Sequence, residues 1–165
     1  MTYCVRLADW RTDEAKLKSV RYEVFCVEQS VPEAIEWDEI DTRCVHVLAE
    51  DGDGRAIGCG RLLPDGYVGR LAVLAQWRGK RVGSAILERL IALARDRGDP
   101  KVMLNAQAHA MPFYARYGFS PVGDAFEEAG IPHQPMEAQW VELRGNGASD
   151  SARAEIVQRI SDSGH

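Results

Sequence analysis

Val73-Leu-Ala-Gln-Trp-Arg-Gly-Lys-Arg-Val-Gly-Ser84 lies where the period of the hydrophobic pattern changes. Upstream, Tyr67 to Leu74 is short, β-branched and aromatic, and reads as a strand. Downstream, Val82, Ile86, Leu90 and Leu93 fall on one helical face, widened by Leu87, Ile91 and Ala94, until Gly98 and Pro100 supply a stop. A strand therefore runs through a basic, glycine-containing loop into a long helix. That arrangement suits a phosphate, because N–H groups of the first turn have no intrahelical acceptor and the helix dipole is positive there. Arg78, Lys80 and Arg81 add full charges. An ordinary helix start with solvated arginines fits the same residues equally well. The loop lacks Gly-Lys-Ser or Gly-Lys-Thr, and Gly58-Cys-Gly60 lacks the third glycine of a dinucleotide fingerprint, which removes ATPase and dehydrogenase readings.

Working outward, Tyr3 to Ala8 is an opening strand and the segment from Thr12 through Phe25 a helix, with Thr12 or Asp13 as N-cap. Val27 to Asp41 is irregular and acidic. Cys44 to Ala49, Ala56 to Leu63 and Tyr67 to Leu74 form an antiparallel meander joined by Asp51-Gly-Asp-Gly54 and Pro64-Asp-Gly66. After the long helix come a strand from Lys101 to Asn105, a second helix from about Ala108 to Tyr117, and β-prone stretches near Ser120 to Phe126 and Met136 to Leu143. The predicted class is α/β, a central mixed, mostly antiparallel sheet flanked by helices. Residues 1–143 form the domain; 144–165 are a linker with a short amphipathic helix from Ala152 to Ile160.

The 165 residues are 45% hydrophobic and 27% charged, which is one globular domain with a real core. The formal charge of −5 provides no global field for nucleic acid or anionic lipid, so neither is expected as a partner. No apolar run has the length of a membrane span and the N-terminus has no signal-like pattern, so a cytoplasmic location is expected. Cys4, Cys26, Cys44 and Cys59 have no metal or disulfide spacing, and Leu62 occupies the position where a calcium loop beginning at Asp51 needs glutamate. No metal is expected.

The second informative stretch is Asn105-Ala-Gln-Ala-His-Ala-Met-Pro-Phe-Tyr-Ala-Arg-Tyr-Gly-Phe119. Together with the loop it resembles the GCN5-related N-acetyltransferases, over about Met1 to Leu143. That family's Arg/Gln-x-x-Gly-x-Gly/Ala loop matches Arg78-Gly79-Lys80-Arg81-Val82-Gly83, with Arg81 where the family has its first glycine. Its Phe-Tyr-x-x-x-Gly-Phe matches Phe113 to Phe119. Gln107 stands where an asparagine often precedes the tyrosine. Val24 to Gln29, Glu36 to Asp41, His46, Gln107-Ala-His109 and Gly130 to His133 are similar to the ElaA-like branch.

The resemblance implies an acetyl-CoA-dependent N-acetyltransferase acting on a primary amine. Residues Arg78 to Ser84 would hold the pyrophosphate, with Arg81 in helical φ/ψ. Leu71, Ala72 and Val73 would pair with the pantetheine in a cleft where two strands splay, and an N–H near Val73 would polarise the thioester. Gln107 and Phe113 would line the cofactor, and Tyr114 would protonate the departing thiolate. Without the loop motif, Tyr114 reads as a core aromatic. The base is open among Glu28, Glu36, His46, His109, His133 and water. His46, alternating with apolar neighbours, also reads as packing, and the acidic segment reads equally as a wall attracting a cationic amine or as a solvated loop. A non-catalytic acyl-CoA sensor or protein-interaction module on the same fold is the rival. Oligomeric state is open, a homodimer included.

Overall fold

The structure, a computed structural model, describes residues 2–140. The predicted linker and its helix, and the last residues of the predicted final strand, lie outside the described residues. The chain forms two compact units, the first ending at Leu90 and the second beginning at Ile91.

In the first unit, β1 (Tyr3–Ala8), β2 (Val45–Asp51), β3 (Ala56–Leu62) and β4 (Tyr67–Val73) lie side by side in chain order; β2 to β4 are the expected antiparallel meander, and β1 adds to it by pairing antiparallel with β2. Helix α1 (Trp10–Arg21) starts earlier than the Thr12 or Asp13 cap predicts. Asp9 caps it instead, accepting the Arg11 N–H at 2.9 Å, while the Asp13 carboxylate turns back to the Asp9 N–H at 3.0 Å. A π-helical turn, Tyr22–Glu28, continues from α1. The region expected to be irregular then holds one turn of helix, α2 (Glu33–Glu36), and a 3₁₀ turn, Glu39–Arg43.

Strand β3 shows how the core is built. Its successive side chains point to opposite faces. Cys59 joins Leu17, Val20, Val24, Leu48 and Ala72 in the cluster under α1. Gly58 and Gly60 face the other way, toward helix α3 (Val82–Arg97). A Cβ at Gly58 would sit 2.8 Å from Ile86 Cδ1, and one at Gly60 2.7 Å from Leu90 Cδ1. The two glycines therefore let the helix lie close on the strand. Val82, Ile86, Leu87, Leu90, Ile91 and Ala94 are buried as predicted, whereas Leu93 is only half-buried.

Between β3 and β4 the register passes from Cys59 opposite Ala72 to Arg61 opposite Gly69, so Gly60 faces two residues, Arg70 and Leu71. This is a β-bulge, and Arg70 carries it with φ of 49°. A bulge bends its strand. Here it falls just before Leu71 to Val73, the segment expected to meet the pantetheine.

In the second unit, β5 (Lys101–Gln107) pairs along its whole length with β8 (Ile131–Gln139), from Lys101 opposite Gln139 to Gln107 opposite His133. The stretch expected as one strand near Ser120 to Phe126 is two, β6 (Ser120–Pro121) and β7 (Phe126–Glu128), both laid on β8. Gly123, with φ of 67°, lies in the break between them. β8 begins earlier than predicted because Ala129 and Gly130, at φ of 53° and 74°, make the tight turn of a β7–β8 hairpin. The expected helix from Ala108 is a 3₁₀ turn, Ala108–Ala110, followed by α4 (Met111–Ala115), and Gly118 at φ of 87° turns the chain out of it.

Candidate functional site

The loop between β4 and α3 has a conformation that its sequence only half announces. Gly79 has φ of 75° and Arg81 of 66°, while Lys80 between them is not in the left-handed region. Alternation in the sign of φ turns successive backbone N–H groups toward one side, which is the geometry of an anion-binding nest. The first intrahelical bond runs from Ala85 N–H to Arg81 C=O at 3.0 Å, so the N–H groups of Val82, Gly83 and Ser84 precede the helical ladder. They stand at the positive end of a 16-residue helix. The expectation of helical φ/ψ at Arg81 is corrected: it adopts the conformation that a glycine would take freely, at a cost of about 1–2 kcal/mol for a residue with a Cβ.

The loop's side chains are folded back on the protein. Arg78 donates from Nε to the Val73 carbonyl at 3.0 Å and grips the Glu28 carboxylate with both terminal nitrogens, each at 2.9 Å. Lys80 donates to the Gln76 carbonyl at 3.0 Å and lies 5.7 Å from the centre of the Trp77 ring. Both are exposed. Arg78 and Lys80 are thus both committed to protein partners, and Ser84 is buried.

The second motif forms an aromatic cluster in the second unit. Tyr114 meets Phe113 edge-on at 5.1 Å and Phe119 at 5.9 Å, and Phe113 meets Tyr117 at 5.2 Å. Tyr114 is half-buried, and burial raises its pKa above the ordinary tyrosine value. It stays protonated through neutral pH. Gln107 ends β5 half-buried, and His109 is exposed on the 3₁₀ turn that follows. His133 Nδ1 is 2.7 Å from the Ile131 carbonyl, and its ring stacks on Phe126 at 5.5 Å.

Three of the candidate bases are engaged elsewhere. Glu28 is held by Arg78. Glu36 is 3% exposed and paired with Arg21 at 2.8 Å and Arg70 at 3.1 Å; burial raises its pKa against the pull of those arginines. His46 is 3% exposed, its Nε2 2.7 Å from the Asp41 carbonyl and its ring stacked on Trp10 at 4.9 Å, and burial lowers its pKa. His133 is likewise bonded through Nδ1 and stacked on Phe126 but is only half-buried, and His109 is exposed. Cys59 offers no thiolate, since burial pushes its pKa up to about 12.

In the acidic segment, Glu36 and Asp41 are buried and Asp38, like them, is paired with arginine, whereas Glu33 and Glu39 are exposed. Asp41 accepts from Arg21 at 2.9 Å and Arg61 at 2.7 Å, Asp38 from Arg61 at 2.8 Å, and Glu36 from Arg21 at 2.8 Å, while Arg70 forms an ion pair with the Glu36 carboxylate and donates to its backbone carbonyl at 3.3 Å. Three arginines balance three carboxylates. Trp37 and Trp10 flank the Arg21 guanidinium, with ring centres 5.1 Å and 5.9 Å away. Sequence reasoning missed this cluster, although Arg61 and Arg70 each interrupt an otherwise apolar strand, and a charge at such a position needs a partner.

Comparison with known proteins puts this loop and the Phe113 to Phe119 motif in the class of acyl-CoA-dependent acyltransferases. An acetyltransferase (GNAT) domain model matches residues 9–140. The chain is 39% identical over 131 residues to YjcF of Bacillus subtilis, named an uncharacterized N-acetyltransferase, covering 75% of this chain and 93% of that one. It is 31% identical to protein ElaA of Escherichia coli over 134 residues, 76% of this chain and 87% of that one. A crystal structure of an acyl-CoA N-acyltransferase from Pseudomonas aeruginosa superposes with a TM-score of 0.75 at 31% identity, covering 83% of this chain and 99% of that one. The chain belongs to the GCN5-related N-acetyltransferase family and resembles its ElaA-like members. Its α/β fold, a mixed sheet flanked by helices, is the fold of these neighbours. No helix of the described residues is long and apolar enough to cross a membrane.

Proposed function

We propose that this protein transfers the acetyl group of acetyl-CoA to a primary amine by direct attack. The observation that carries this reading is the alternating backbone of Gly79 to Arg81 at the start of α3. It supports a pyrophosphate held by the N–H groups of Val82, Gly83 and Ser84, with Lys80 and Arg81 supplying positive charge around it. Leu71, Ala72 and Val73 would receive the pantetheine as an added strand. The Val73 N–H would donate to the thioester oxygen as charge develops there. Gln107 and Phe113 would complete the cofactor's surroundings, as the family motif implies.

Acetyl-CoA brings the activated thioester, so the chain's own tasks are orientation and proton transfer. The amine nitrogen attacks the carbonyl carbon, the C–S bond breaks, and the thiolate takes the proton of Tyr114. The attacking amine loses its proton to water, His109 or His133.

One observation favours a second reading: Glu28, Glu36 and His46 are all tied to protein partners, which is what a non-catalytic acyl-CoA sensor or interaction module would tolerate. A panel of primary amines assayed for release of CoA thiol separates the two. The catalytic reading expects acetyl-CoA-dependent thiol release with at least one amine, and a Tyr114→Phe protein slowed by about 10²-fold or more at unchanged acetyl-CoA affinity. Acetyl-CoA binding without thiol release from any amine would support the sensor. Equal turnover by the two proteins would remove Tyr114 from the mechanism.

A further inference from the structure

The hydrogen-bond pattern at the end of β4 gives Arg78 a second task. Val73 stands opposite Gly58, and the Leu74 N–H donates to the Ile57 carbonyl at 2.9 Å. In an antiparallel ladder that bond flanks a pair whose own N–H and C=O groups point away from the partner strand. Both polar groups of Val73 therefore face away from β3. Its carbonyl is taken by Arg78 Nε at 3.0 Å, and the rest of the guanidinium is clasped by Glu28 in a fork-to-fork pair, both contacts at 2.9 Å.

These contacts make a bracket. Glu28 ends the π-helical turn Tyr22–Glu28, Val73 ends β4, and Arg78 opens the nest. A planar guanidinium with one edge on a carboxylate and its Nε on a carbonyl cannot rotate without losing a contact, so it fixes the orientation of Val73 and the span from Val73 to the nest. A lysine would keep the charge and lose the geometry.

We infer that Glu28 and Arg78 are positioning residues: together they set the Val73 backbone, so that its N–H meets the thioester oxygen while the nest holds the pyrophosphate. The inference rests on the acetyl-CoA reading above. It removes Glu28 from the candidate bases and makes the Arg78 side chain a strut rather than a phosphate ligand. Its signature is discrimination. The thioester oxygen exists in acetyl-CoA and not in CoA, whereas the pyrophosphate is common to both.

Calorimetric titration of wild type, Glu28→Gln, Arg78→Lys and the double variant with acetyl-CoA and with CoA tests this without needing an amine. The pair is surface-exposed, at 47% and 32% for the two side chains, so folding is not at stake. Each single variant should shift the affinity ratio toward CoA by about three- to tenfold, the worth of one weakened hydrogen bond, with CoA binding within about twofold of wild type. The double variant should be no worse than the weaker single, because the two residues act as one unit. An unchanged ratio in Glu28→Gln overturns the inference. So does an equal loss for both ligands in Arg78→Lys, which would make Arg78 a phosphate contact. Wild type that binds neither ligand would instead overturn the acetyl-CoA reading itself.

Discussion

Two charged regions of the first unit use opposite physics. In the cluster of Arg21, Arg61 and Arg70 with Glu36, Asp38 and Asp41, formal charges are paired, mostly buried and chemically silent. In the loop Arg78 to Ser84, the Arg78 and Lys80 side chains are exposed and folded back on the protein, and the backbone is the element proposed to bind. The difference separates structure from chemistry more reliably than residue type does. Glu36 and Glu28 looked alike as candidate bases, yet one belongs to a buried cluster and the other to a surface bracket.

The buried cluster breaks hardest. Arg21→Met leaves Glu36 and Asp41 short of a partner in an apolar setting, and should lower stability to urea by about 3–5 kcal/mol. A loss below about 1 kcal/mol, measured with an unchanged denaturant slope, would show that water reaches these carboxylates.

A smaller effect sharpens the same side of the comparison. Burial lowers the His46 pKa below its ordinary value of 6.5. The unfolded chain then binds the proton first as pH falls, so the contribution of neutral His46 is complete above about pH 6.5 and is lost progressively below it. The groups facing the ring are Trp10 and the Asp41 carbonyl, with Arg21, Arg61 and the Asp41 carboxylate nearby. Stability to urea should fall for wild type between pH 7.5 and 5.5, with His46 contributing at most about 1.4 kcal/mol per pH unit, and fall less for His46→Gln. Parallel slopes for the two proteins would mean that His46 titrates normally.

On the loop side the expected gain is modest. Arg81→Gly relieves a left-handed residue and should stabilise the fold by about 1 kcal/mol, with the nest intact and acetyl-CoA binding retained. A destabilised variant would show that the Arg81 side chain contributes more to the fold than its backbone costs.

Most of the scaffold was legible because periodicity carries it. The meander, the face of α3 from Val82 to Ala94 and both motifs follow from local pattern. What was not legible depended on contacts distant in sequence. The Asp9 cap won over Thr12 because its carboxylate reaches the Arg11 N–H, and the bulge at Arg70 arises from pairing with β3. The arginine partners of the acidic segment come from α1, β3 and β4, so no window along the chain contains the cluster. The loop motif was visible, but the sign of φ at Arg81 was not, since arginine enters the left-handed region only where its surroundings impose it.

The account's central claim is that amides at the start of α3 hold the pyrophosphate of acetyl-CoA. Titrating ¹⁵N-labelled protein with acetyl-CoA and following backbone amide shifts tests it directly. The largest changes should fall on Val82, Gly83 and Ser84, with Gly79 and Arg81 next. Saturable binding that left these amides unmoved while others shifted would contradict it.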